Sequence, residues 1–579
     1  MKSFFYCFLF LFLCASQAFA QNFETVFEQS DSTRTATYQE GMNWWNRFAN
    51  QYPSVQMQSM GLTDSGKHLH LITVSTDETF DYKTLHQQNK CILLINNAIH
   101  PGEPDGVEAT MMLVRDLVQH KNGMQLPDNV VLAIIPFYNI GGVLNRNSHT
   151  RANQNGPESY GFRGNARNLD LDRDFTKADS YNALSFSKIF HMVDPNIMID
   201  NHVSDGADYQ HVMTLLATQH NKLGGDLGNY LHDQMVPGVF KRMKEKGYDL
   251  VPYVNDFNAT PEEGWNEFYD SPRYSSGYAA LFGTFSFMPE AHMLKPFKIR
   301  VPADYALMQS FIDFAHKNGD KIRALHDQFK QQIQTKQEFP FHWKVDSTRH
   351  DMITYKGYKS GHKPSKISGQ PRLYYDEDKP FTKQVPFFDY FKAQKHIQKP
   401  DAYIIPQGWH RVIKRLKVND VKMRRLPHDT TMQVEVYHIA DYKSLDQPYE
   451  MHHVNHDVKV TSREKSISFR KGDYYIPMTQ PANRYLLNML EPEAKDSFFA
   501  WNFFDTILQR KEYYSPYVFE DLAAKYLKEH PALRDSLEKK RKADSSFANS
   551  ASAQLRYIYT HSPWSEPEYL RYPVYRYFK

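Results

Sequence analysis

The stretch CILLINNAIHPGEPDG, residues 91–106, joins a short apolar run to a turn that carries a histidine and a carboxylate. CILLI is typical of a buried strand, and the helical pattern VEATMMLVRDLVQH follows the turn. Two prolines and a glycine fix the backbone around His100 and Glu103. An imidazole and a carboxylate held in this way can converge on one metal ion, and such a site needs a third ligand.

The same alternation of apolar and amphipathic stretches continues through the first half of the chain. The apolar runs are HLHLITVS (68–75), CILLINN (91–97), VVLAIIPF (130–137) and NIMIDN (196–201). Strands interleaved with helices predict an α/β domain with a mixed, mostly parallel sheet flanked by helices. In such sheets the ligand crevice lies beyond the carboxyl ends of the strands. His100 and Glu103 follow one of these strands and His202 follows another, so this edge is predicted to carry the chemistry.

These three residues form a close pair with a distant third member, and zinc binds such nitrogen and oxygen ligands. Three protein ligands leave a fourth zinc position free for water. A single loop histidine is more often a surface or hydrogen-bonded residue than a ligand. The prediction of one Zn²⁺ ion therefore depends on the set His100, Glu103 and His202 together with further features.

Length and charge limit the classes of function. A chain of 579 residues exceeds what one core usually needs, so two or more domains are expected. The formal net charge of +3 arises from 69 basic and 66 acidic residues. Such a balance creates no general field that would gather nucleic acid, so a nucleic-acid partner is not expected.

The N-terminal stretch MKSFFYCFLFLFLCASQAFA, residues 1–20, has one lysine, an apolar run and an A-x-A cleavage site. It predicts a signal peptide cleaved after Ala20 and a secreted or periplasmic protein. A lipoprotein signal at Cys14 is the less favoured alternative, because Leu13 stands where a small residue is required. Cleavage would leave Cys91 as the only cysteine, and a large exported chain without a disulfide suits a bacterial periplasm. No later stretch has the roughly 18 apolar residues of a transmembrane segment.

Two further stretches complete a recognisable order. NLDLDRDF (168–175) follows a loop rich in Asn, Arg and Gly, and FSFMPEAH (285–292) is another apolar strand that contains Glu290. With the H-x-x-E turn and the distant histidine, they resemble the zinc metallocarboxypeptidase family that includes carboxypeptidase A. The resemblance covers about residues 35–330, including GLTDSGKHLHLITVS (61–75), which is similar to the family's first strand. It implies a secreted zinc-dependent carboxypeptidase that hydrolyses peptides or proteins at or near the C-terminus.

The resemblance also implies roles for single residues around the metal. His100, Glu103 and His202 would be the zinc ligands, and Glu290 would be the general base. Asp170 matches the family's acid that holds a zinc-bound imidazole by its other ring nitrogen, here expected to be that of His100. The alternative for Asp170 is a loop acid that caps the next turn.

On the substrate side, the resemblance makes Arg173 the arginine that binds a terminal carboxylate. Arg151 is the candidate for the arginine that stabilises the oxyanion. Tyr274 resembles the family's mobile tyrosine that covers the substrate. Arg273 either pairs with an acid or contacts a substrate side chain. Rival arginines for the oxyanion role are Arg146, Arg163 and Arg167, and rival tyrosines are Tyr269 and Tyr278.

The chain departs from the family at Asp172, where the family usually has an asparagine before the carboxylate-binding arginine. A neutral amide can donate a hydrogen bond to a substrate carboxylate, whereas an ionised aspartate can only accept one. Either Asp172 is held by a neighbouring arginine such as Arg173, or it faces a donor on the substrate. Both alternatives predict poorer discrimination for a free C-terminal carboxylate than is usual in the family.

The predicted organisation is a signal peptide (1–20), a catalytic domain (21–330), a β-rich segment (331–400) and a mixed C-terminal domain (401–579). The stretch KPDAYIIPQGWHRVIKRLKVNDVKMRRL (399–426) predicts strand, turn and helix. The aromatic residues near 496–530 are expected in a core or an interdomain contact rather than on a sugar-stacking surface. Neither the role of the second half nor the oligomeric state follows from the sequence.

Two other functions remain open at this stage. A zinc amidase that acts on peptidoglycan stem peptides would use the same ligands. A peptide-binding protein without activity on a peptidase scaffold is the third possibility, and it would need neither a complete ligand set nor Glu290.

Overall fold

The computed structural model describes residues 23–255 and 260–579. The predicted signal peptide, including Cys14 and the cleavage site at Ala20, lies outside the described residues. Within these two ranges no helix combines the length and the apolar character needed to cross a membrane.

The first half of the chain is built around one large mixed sheet. Its strand order is β1-β2-β4-β3-β5-β10-β7-β8. The short strand β6 pairs with the second half of β10, beyond the point where β5 ends. The strands of this half, of which β9 belongs to another sheet, are β1 (Val55–Leu62), β2 (His68–Val74), β3 (Cys91–Asn96), β4 (Val130–Ile135), β5 (Ile197–Asp200), β6 (His202–Ser204), β7 (Met213–Ala217), β8 (Val251–Pro252), β9 (Trp265–Asn266) and β10 (Phe285–His292).

Helices cover this sheet, and the long helix Phe297–Thr335 packs against the helices Asp105–Val118 and Val236–Glu245 and against β3. A π-helical turn, Leu231–Met235, connects α8 to α9, and short 3₁₀ turns lie at Lys121–Gly123, Leu171–Arg173 and Pro261–Glu263. The α-helices of this half are α1 (Val26–Gln29), α2 (Tyr38–Gln51), α3 (Tyr82–Gln87), α4 (Asp105–Val118), α5 (Ile140–Leu144), α6 (Tyr181–Val193), α7 (His220–Leu223), α8 (Gly225–Tyr230), α9 (Val236–Glu245), α10 (Ser275–Leu281) and α11 (Phe297–Thr335).

The predicted fold class is confirmed. Strands β3, β4, β5 and β10 are parallel to their neighbours in the centre of the sheet, and antiparallel pairs lie at β1-β2, β2-β4 and β7-β10. Every residue of β3, β4 and β10 is buried, as their near-continuous apolar sequences require for strands covered on both faces. The carboxyl ends of β3 and β5 therefore meet at one edge, beside the second half of β10.

The second half of the chain begins with long hairpins, as its alternating pattern predicts. One sheet pairs β11 with β14, a second has the order β12-β13-β9, and a third has the order β16-β19-β15-β20-β17-β18. The strands are β11 (Glu338–Val345), β12 (Asp351–Pro364), β13 (Pro371–Phe388), β14 (Phe391–Gln398), β15 (Ala402–Ile405), β16 (Arg424–Arg425), β17 (Thr430–Ser444), β18 (Asn455–Phe469), β19 (Tyr474–Pro477) and β20 (Tyr575–Tyr577).

Helices of the second half cluster towards the C-terminus. They are α12 (His410–Val418), α13 (Asn483–Leu490), α14 (Pro516–Glu529), α15 (Pro531–Ala543), α16 (Ser545–Ala548) and α17 (Ala551–Thr560), with a 3₁₀ turn at Asp505–Leu508. The strand, turn and helix read from residues 399–426 correspond to β15 and α12. Val412, Ile413 and Leu416 of α12 are buried.

The halves share apolar cores. One continuous cluster joins the central sheet to buried aromatic residues of the C-terminal region, where Phe282 stacks on Tyr485 at 5.4 Å between ring centroids. Phe498, Phe499 and Trp501 belong to that cluster and are fully buried, which matches the expected core packing. The limit set at residue 330 falls inside α11, which continues to Thr335 because Ile333 is still buried against this core.

Candidate metal centre and substrate pocket

The turn after β3 places the first two predicted ligands. The chain leaves the strand through Ala98, which has a left-handed φ of 56°, and reaches His100 and Glu103 before α4 begins. A Cβ on Gly102 would lie 2.4 Å from Cδ of Arg151. A side chain at this position would therefore displace Arg151, which explains the glycine between the two ligands.

The third predicted ligand lies on the neighbouring strand. The chain leaves the edge of β5 after Asp200, and His202 opens β6 alongside β10. In the parallel register of β6 and β10, His202 lies opposite Glu290. The sheet topology thus brings residues from three separate parts of the chain to one edge.

The ligand atoms have the spacing that zinc requires. Nδ1 of His100 lies 3.4 Å from Oε2 of Glu103 and 3.2 Å from Nδ1 of His202. Nδ1 of His202 lies 3.3 Å from Oε2 of Glu103. In a tetrahedral site with bonds of about 2.0–2.1 Å, neighbouring ligand atoms are separated by about 3.3 Å. The three atoms therefore match three corners of a zinc tetrahedron.

The contacts of the ring nitrogens support a cation at this point. Nε2 of His100 lies 3.0 Å from Oδ1 of Asp170, and Nε2 of His202 lies 3.3 Å from Oδ2 of Asp200. A neutral imidazole that carries its proton on Nε2, towards a carboxylate, presents a lone pair on Nδ1. With this assignment two nitrogen lone pairs and the Glu103 carboxylate point at one another with no proton between them, and they repel one another. A metal ion bound between them would remove this repulsion. The residues fit zinc.

Charges around Glu103 keep it ionised. NH1 of Arg151 lies 2.9 Å from Oε1 of Glu103, and NH1 of Arg163 lies 3.5 Å from the same oxygen. Burial opposes ionisation, but His100 and Arg151 hold the pKa of the Glu103 carboxyl well below its usual range. Similarly, burial lowers the pKa of the His202 imidazole, but Asp200 and Glu103 raise it more.

Glu290 is the acid placed to move a proton. Its side chain is buried, with 8% of the residue exposed, and it lines the same cavity as the three ligands. Burial raises the pKa of the Glu290 carboxyl to about 8, against the opposing effect of the neighbouring His202 imidazole. A buried carboxyl with a raised pKa beside a metal-ligand cluster is typical of a general base.

A cavity of about 590 Å³ opens over this edge of the sheet. Besides the ligands and Glu290, its walls include several residues that the sequence singled out: Arg151, Arg163, Asp172, Arg173 and Tyr274. The volume and the convergence of charged groups are typical of a ligand pocket.

Asp172 and Arg173 form an ion pair on the wall of this cavity. The guanidinium of Arg173 also lies 4.6 Å above the ring centre of Tyr274. The other carboxylate oxygen of Asp172, Oδ1, is buried and has no hydrogen-bond partner among the described residues. This arrangement is the first of the two alternatives drawn from the sequence, in which Arg173 itself holds Asp172.

Asp170 combines both of its predicted roles. It contacts the His100 ring, and its side chain also accepts a hydrogen bond from the backbone N–H of Asp172, 3.1 Å away, as the cap of the 3₁₀ turn. Nε of Arg163 lies 2.9 Å from Oδ2 of Asp170. The Asp170 carboxylate thus links the loop that carries Arg173 to the ring of His100, a candidate metal ligand.

The rival residues divide between the cavity and the rest of the fold. Arg163 lies in the cavity beside Arg151, so both arginines are placed for the oxyanion role. Arg146 donates to the backbone carbonyls of Thr35, Ala36 and Ser159 and is structural. Arg167 donates to the backbone carbonyl of Asp179. The two rival tyrosines also lie away from the cavity: the hydroxyl of Tyr278 donates to Asn419, and the ring of Tyr269 stacks on Phe391.

Arg273 requires a correction. Its guanidinium lies 2.6 Å from Oδ1 of Asp496 and stacks on the rings of Tyr449 and Trp501. It does not line the cavity over the metal ligands. Because its charge is neutralised by a buried aspartate of the C-terminal half, Arg273 is removed from the predicted substrate-binding set.

Two residues of this site were not predicted from the sequence. Asp200 contacts the second ring, and its position at the end of NIMID, two residues before His202, was a usable signal. Glu450, between β17 and β18, accepts a hydrogen bond from the backbone N–H of Asp170 at 2.8 Å. It is 280 positions away from Asp170, and nothing in the local pattern indicates that contact.

Part of the first half of the chain is similar to a known protein family. A family model described as "Zinc carboxypeptidase" matches residues 42–196, a range that includes His100, Glu103 and Arg173 but ends before His202. This stretch of the chain is similar to zinc carboxypeptidases. The match supports the predicted enzyme class, a metallopeptidase.

Individual relatives of the chain are distant. Carboxypeptidase 2 of Trichophyton tonsurans is 33% identical over 100 residues, which cover 17% of this chain and only 18% of that protein. Carboxypeptidase 2 of Trichophyton equinum is 20% identical over 489 residues, which cover 81% of this chain and 84% of that protein.

Solved structures of carboxypeptidases also align with about half of the chain. Carboxypeptidase A from Helicoverpa armigera has 15% identity and a TM-score of 0.37, covering 50% of this chain and 73% of its own. A metallo-carboxypeptidase from Burkholderia cenocepacia has 17% identity and a TM-score of 0.36, covering 47% of this chain and 68% of its own.

Proposed function

We propose that this protein is a zinc-dependent carboxypeptidase that hydrolyses peptide bonds at or near the C-terminus of peptides or proteins. The observation that carries the proposal is the tetrahedral spacing of His100, Glu103 and His202 in the same cavity as Glu290. An inactive binding protein would need neither the ligand spacing nor the buried acid.

His100, Glu103 and His202 would hold one zinc ion. When bound in such a site, zinc acts as a Lewis acid that polarises a carbonyl group and makes water more acidic. Asp170 would keep the proton of the His100 ring on Nε2, and Asp200 lies 3.3 Å from Nε2 of His202, so that both Nδ1 atoms would be available as ligands.

Glu290 would accept a proton from water at its carboxylate and later return it to the leaving amine. Its burial excludes bulk water as a competing proton acceptor, and the neighbouring His202 and Arg163 oppose the rise in pKa that burial causes. A bound zinc ion would add positive charge that favours the ionised form needed to begin the cycle. Arg151 and Arg163 project their guanidinium groups into the same cavity, where they would stabilise negative charge on the carbonyl oxygen.

Hydrolysis assays with a peptide library test the proposal. We expect the zinc-loaded protein to release C-terminal residues from ordinary peptides. Cleavage confined to peptidoglycan stem peptides would replace the proposal with the amidase alternative. Zinc-loaded protein that binds peptides without cleaving any would replace it with the binding-protein alternative.

The Asp172–Arg173 ion pair leads to a prediction about specificity. Because Arg173 already neutralises Asp172, less of its charge is available for a substrate carboxylate, and Asp172 repels that carboxylate. We expect Asp172→Asn to raise the preference for free-acid over amidated peptides by about tenfold, which corresponds to roughly 1.4 kcal/mol. The measurement is kcat/KM for matched free-acid and amidated peptides with both proteins.

Asp205→Asn is a suitable control, since it removes an exposed carboxylate elsewhere on the cavity rim. It should change the ratio much less. A wild-type enzyme that already strongly prefers free acids, with a ratio unaffected by Asp172→Asn, would contradict this interpretation of Asp172.

We further propose that the protein is exported and that residues 1–20 are a cleaved signal peptide, with a bacterial periplasm as the destination. The support is the charged start, the apolar run and the A-x-A site of the sequence. On expression with its own N-terminus, the mature protein is expected to begin at Gln21. Mass spectrometry that finds a lipid-modified Cys14 as the first residue would overturn this assignment.

A further inference from the structure

A second cluster of metal-ligand side chains lies outside the cavity described above. His220 begins α7, His232 lies in the π-helical turn Leu231–Met235, and Asp389 follows β13. One ligand atom from each lies within 4.8 Å of the others. π-Helical turns inside helices are rare and are frequent at functional sites.

The ring of His220 has a nitrogen lone pair to offer. The residue is 7% exposed and makes no side-chain hydrogen bond with the described residues. Its ring contacts are with His232, at 4.3 Å between centroids, and with Tyr390.

Asp389 adds a buried carboxylate to this cluster. Its side chain is 7% exposed, and Oδ2 lies 3.2 Å from Nε2 of His232. Oδ1 is buried and has no hydrogen-bond partner within residues 23–255 and 260–579. A buried carboxylate oxygen without a donor is costly, and a bound cation would satisfy it.

His232 is oriented as metal-binding histidines usually are. Its Nδ1 lies 2.7 Å from Oδ1 of Asp233, which fixes the ring through the nitrogen that faces away from the cluster. Its Nε2 faces the cluster, where Oδ2 of Asp351 lies 3.1 Å away. Asp351 is the first residue of β12, so it is a candidate fourth ligand from the β-rich segment.

The surroundings carry excess negative charge. A cavity of about 420 Å³ is lined by His220, His232, Asp351, Asp389 and Glu267. Oε2 of Glu267 is buried without a partner among the described residues. The nearby cations are already engaged: Lys222 pairs with Asp270, and Arg349 stacks on Tyr390 at 3.8 Å.

A protonated His232 bridging two aspartates is the simplest arrangement without a metal. It accounts for the contacts of Nε2 with Asp351 and Asp389. It leaves the buried ring of His220 without a hydrogen bond and Oδ1 of Asp389 without a donor. A metal ion bound by all three residues would satisfy both of these groups.

We propose that His220, His232 and Asp389, with Asp351 as the fourth candidate, bind a second divalent transition-metal ion of the zinc class. Two imidazole nitrogens with carboxylate oxygens suit zinc, whereas calcium and magnesium require oxygen ligands. Two ligands come from the helical stretch between β7 and β8, and the others come from the β-rich segment. The ion would therefore join the β-rich segment to the catalytic half.

Metal analysis of the full-length protein tests this site independently of peptidase activity. After dialysis with limiting free zinc, we expect about two zinc ions per wild-type chain, one in His202→Ala, one in His220→Ala, and none in the double variant. The His220→Ala protein should retain hydrolysis of peptides. Asp389→Asn, which preserves the shape of the side chain, should also lose about one zinc ion. This variant replaces His220→Ala as the test if His220→Ala fails to fold.

His350→Ala is the matched control, because His350 is exposed and contacts the ring of Phe388 next to the cluster without belonging to it. It should keep both ions. One ion in the wild type and none in His202→Ala would overturn the second site, as would an unchanged zinc content in both His220→Ala and Asp389→Asn. One ion in the wild type and none in His220→Ala would support the second site and would instead contradict the proposed catalytic one.

Discussion

Glu290→Gln is expected to keep the catalytic zinc ion and to lower kcat by about 10²–10⁴-fold, the range that general-base catalysis contributes. Glutamine preserves the shape and burial of the side chain but cannot accept a proton from water. The three ligand atoms belong to other residues, so zinc affinity should change little. The measurement is kcat with a free-acid peptide together with zinc content from the same preparation.

A control variant separates this effect from a general loss of charge. Glu263→Gln removes a carboxylate that is 87% exposed and paired with Lys383 outside the cavity, and it should have nearly wild-type activity. If Glu290→Gln hydrolysed peptides at the parental rate with zinc bound, another group would have to be the base. If it lost zinc, Glu290 would have to contribute to the metal site itself.

The fold of the first half could be predicted because its strands are local in sequence. A strand such as CILLI is buried on both faces, so an uninterrupted apolar run is a sufficient signal. Strand ends also located the site, since parallel strands bring their carboxyl ends to one edge and the candidate ligands follow two of those ends. Chemistry at that edge could therefore be predicted before any contact was known.

Contacts between the halves could not be predicted in the same way. Arg273 meets Asp496 across 223 positions, and Glu450 meets Asp170 across 280. Each of these residues is an ordinary charged residue in its local pattern, and only the packing of the C-terminal half against the catalytic domain gives it a partner. The cluster of His220, His232 and Asp389 could not be predicted for the same reason, because its members come from three separate elements that only the tertiary packing brings together.

These long-range contacts suggest why the second half is attached to the site. The side chain of Glu450 accepts a hydrogen bond from the backbone N–H of Asp170, and the side chain of Asp170 contacts the ring of His100. The C-terminal half thus supports the loop that carries Arg173 and the orientation of one ligand. Any effect on the candidate metal centre would pass through this loop, because Glu450 itself makes no contact with the three candidate ligand atoms in the described structure.

His202→Ala is expected to lose the catalytic zinc ion and, with it, measurable peptidase activity. Removal of one of three protein ligands should weaken zinc binding by more than the roughly 10–100-fold typical of losing an outer partner such as Asp170. The remaining cluster would also be unbalanced, because Asp200 and Glu103 would both remain buried without the ring that separates them. Zinc affinity is measured by competition with a chelator, and circular dichroism checks the fold.

The outcome for zinc content distinguishes the two sites. If both are present, His202→Ala should lose one zinc ion and keep the one bound at His220, so that its zinc content falls by about half while its peptide hydrolysis disappears. His410→Ala, which removes an exposed histidine on α12, should lose neither. A His202→Ala protein that keeps the full zinc content and hydrolyses peptides would show that the spacing of the three ligand atoms arises from packing of the sheet edge alone.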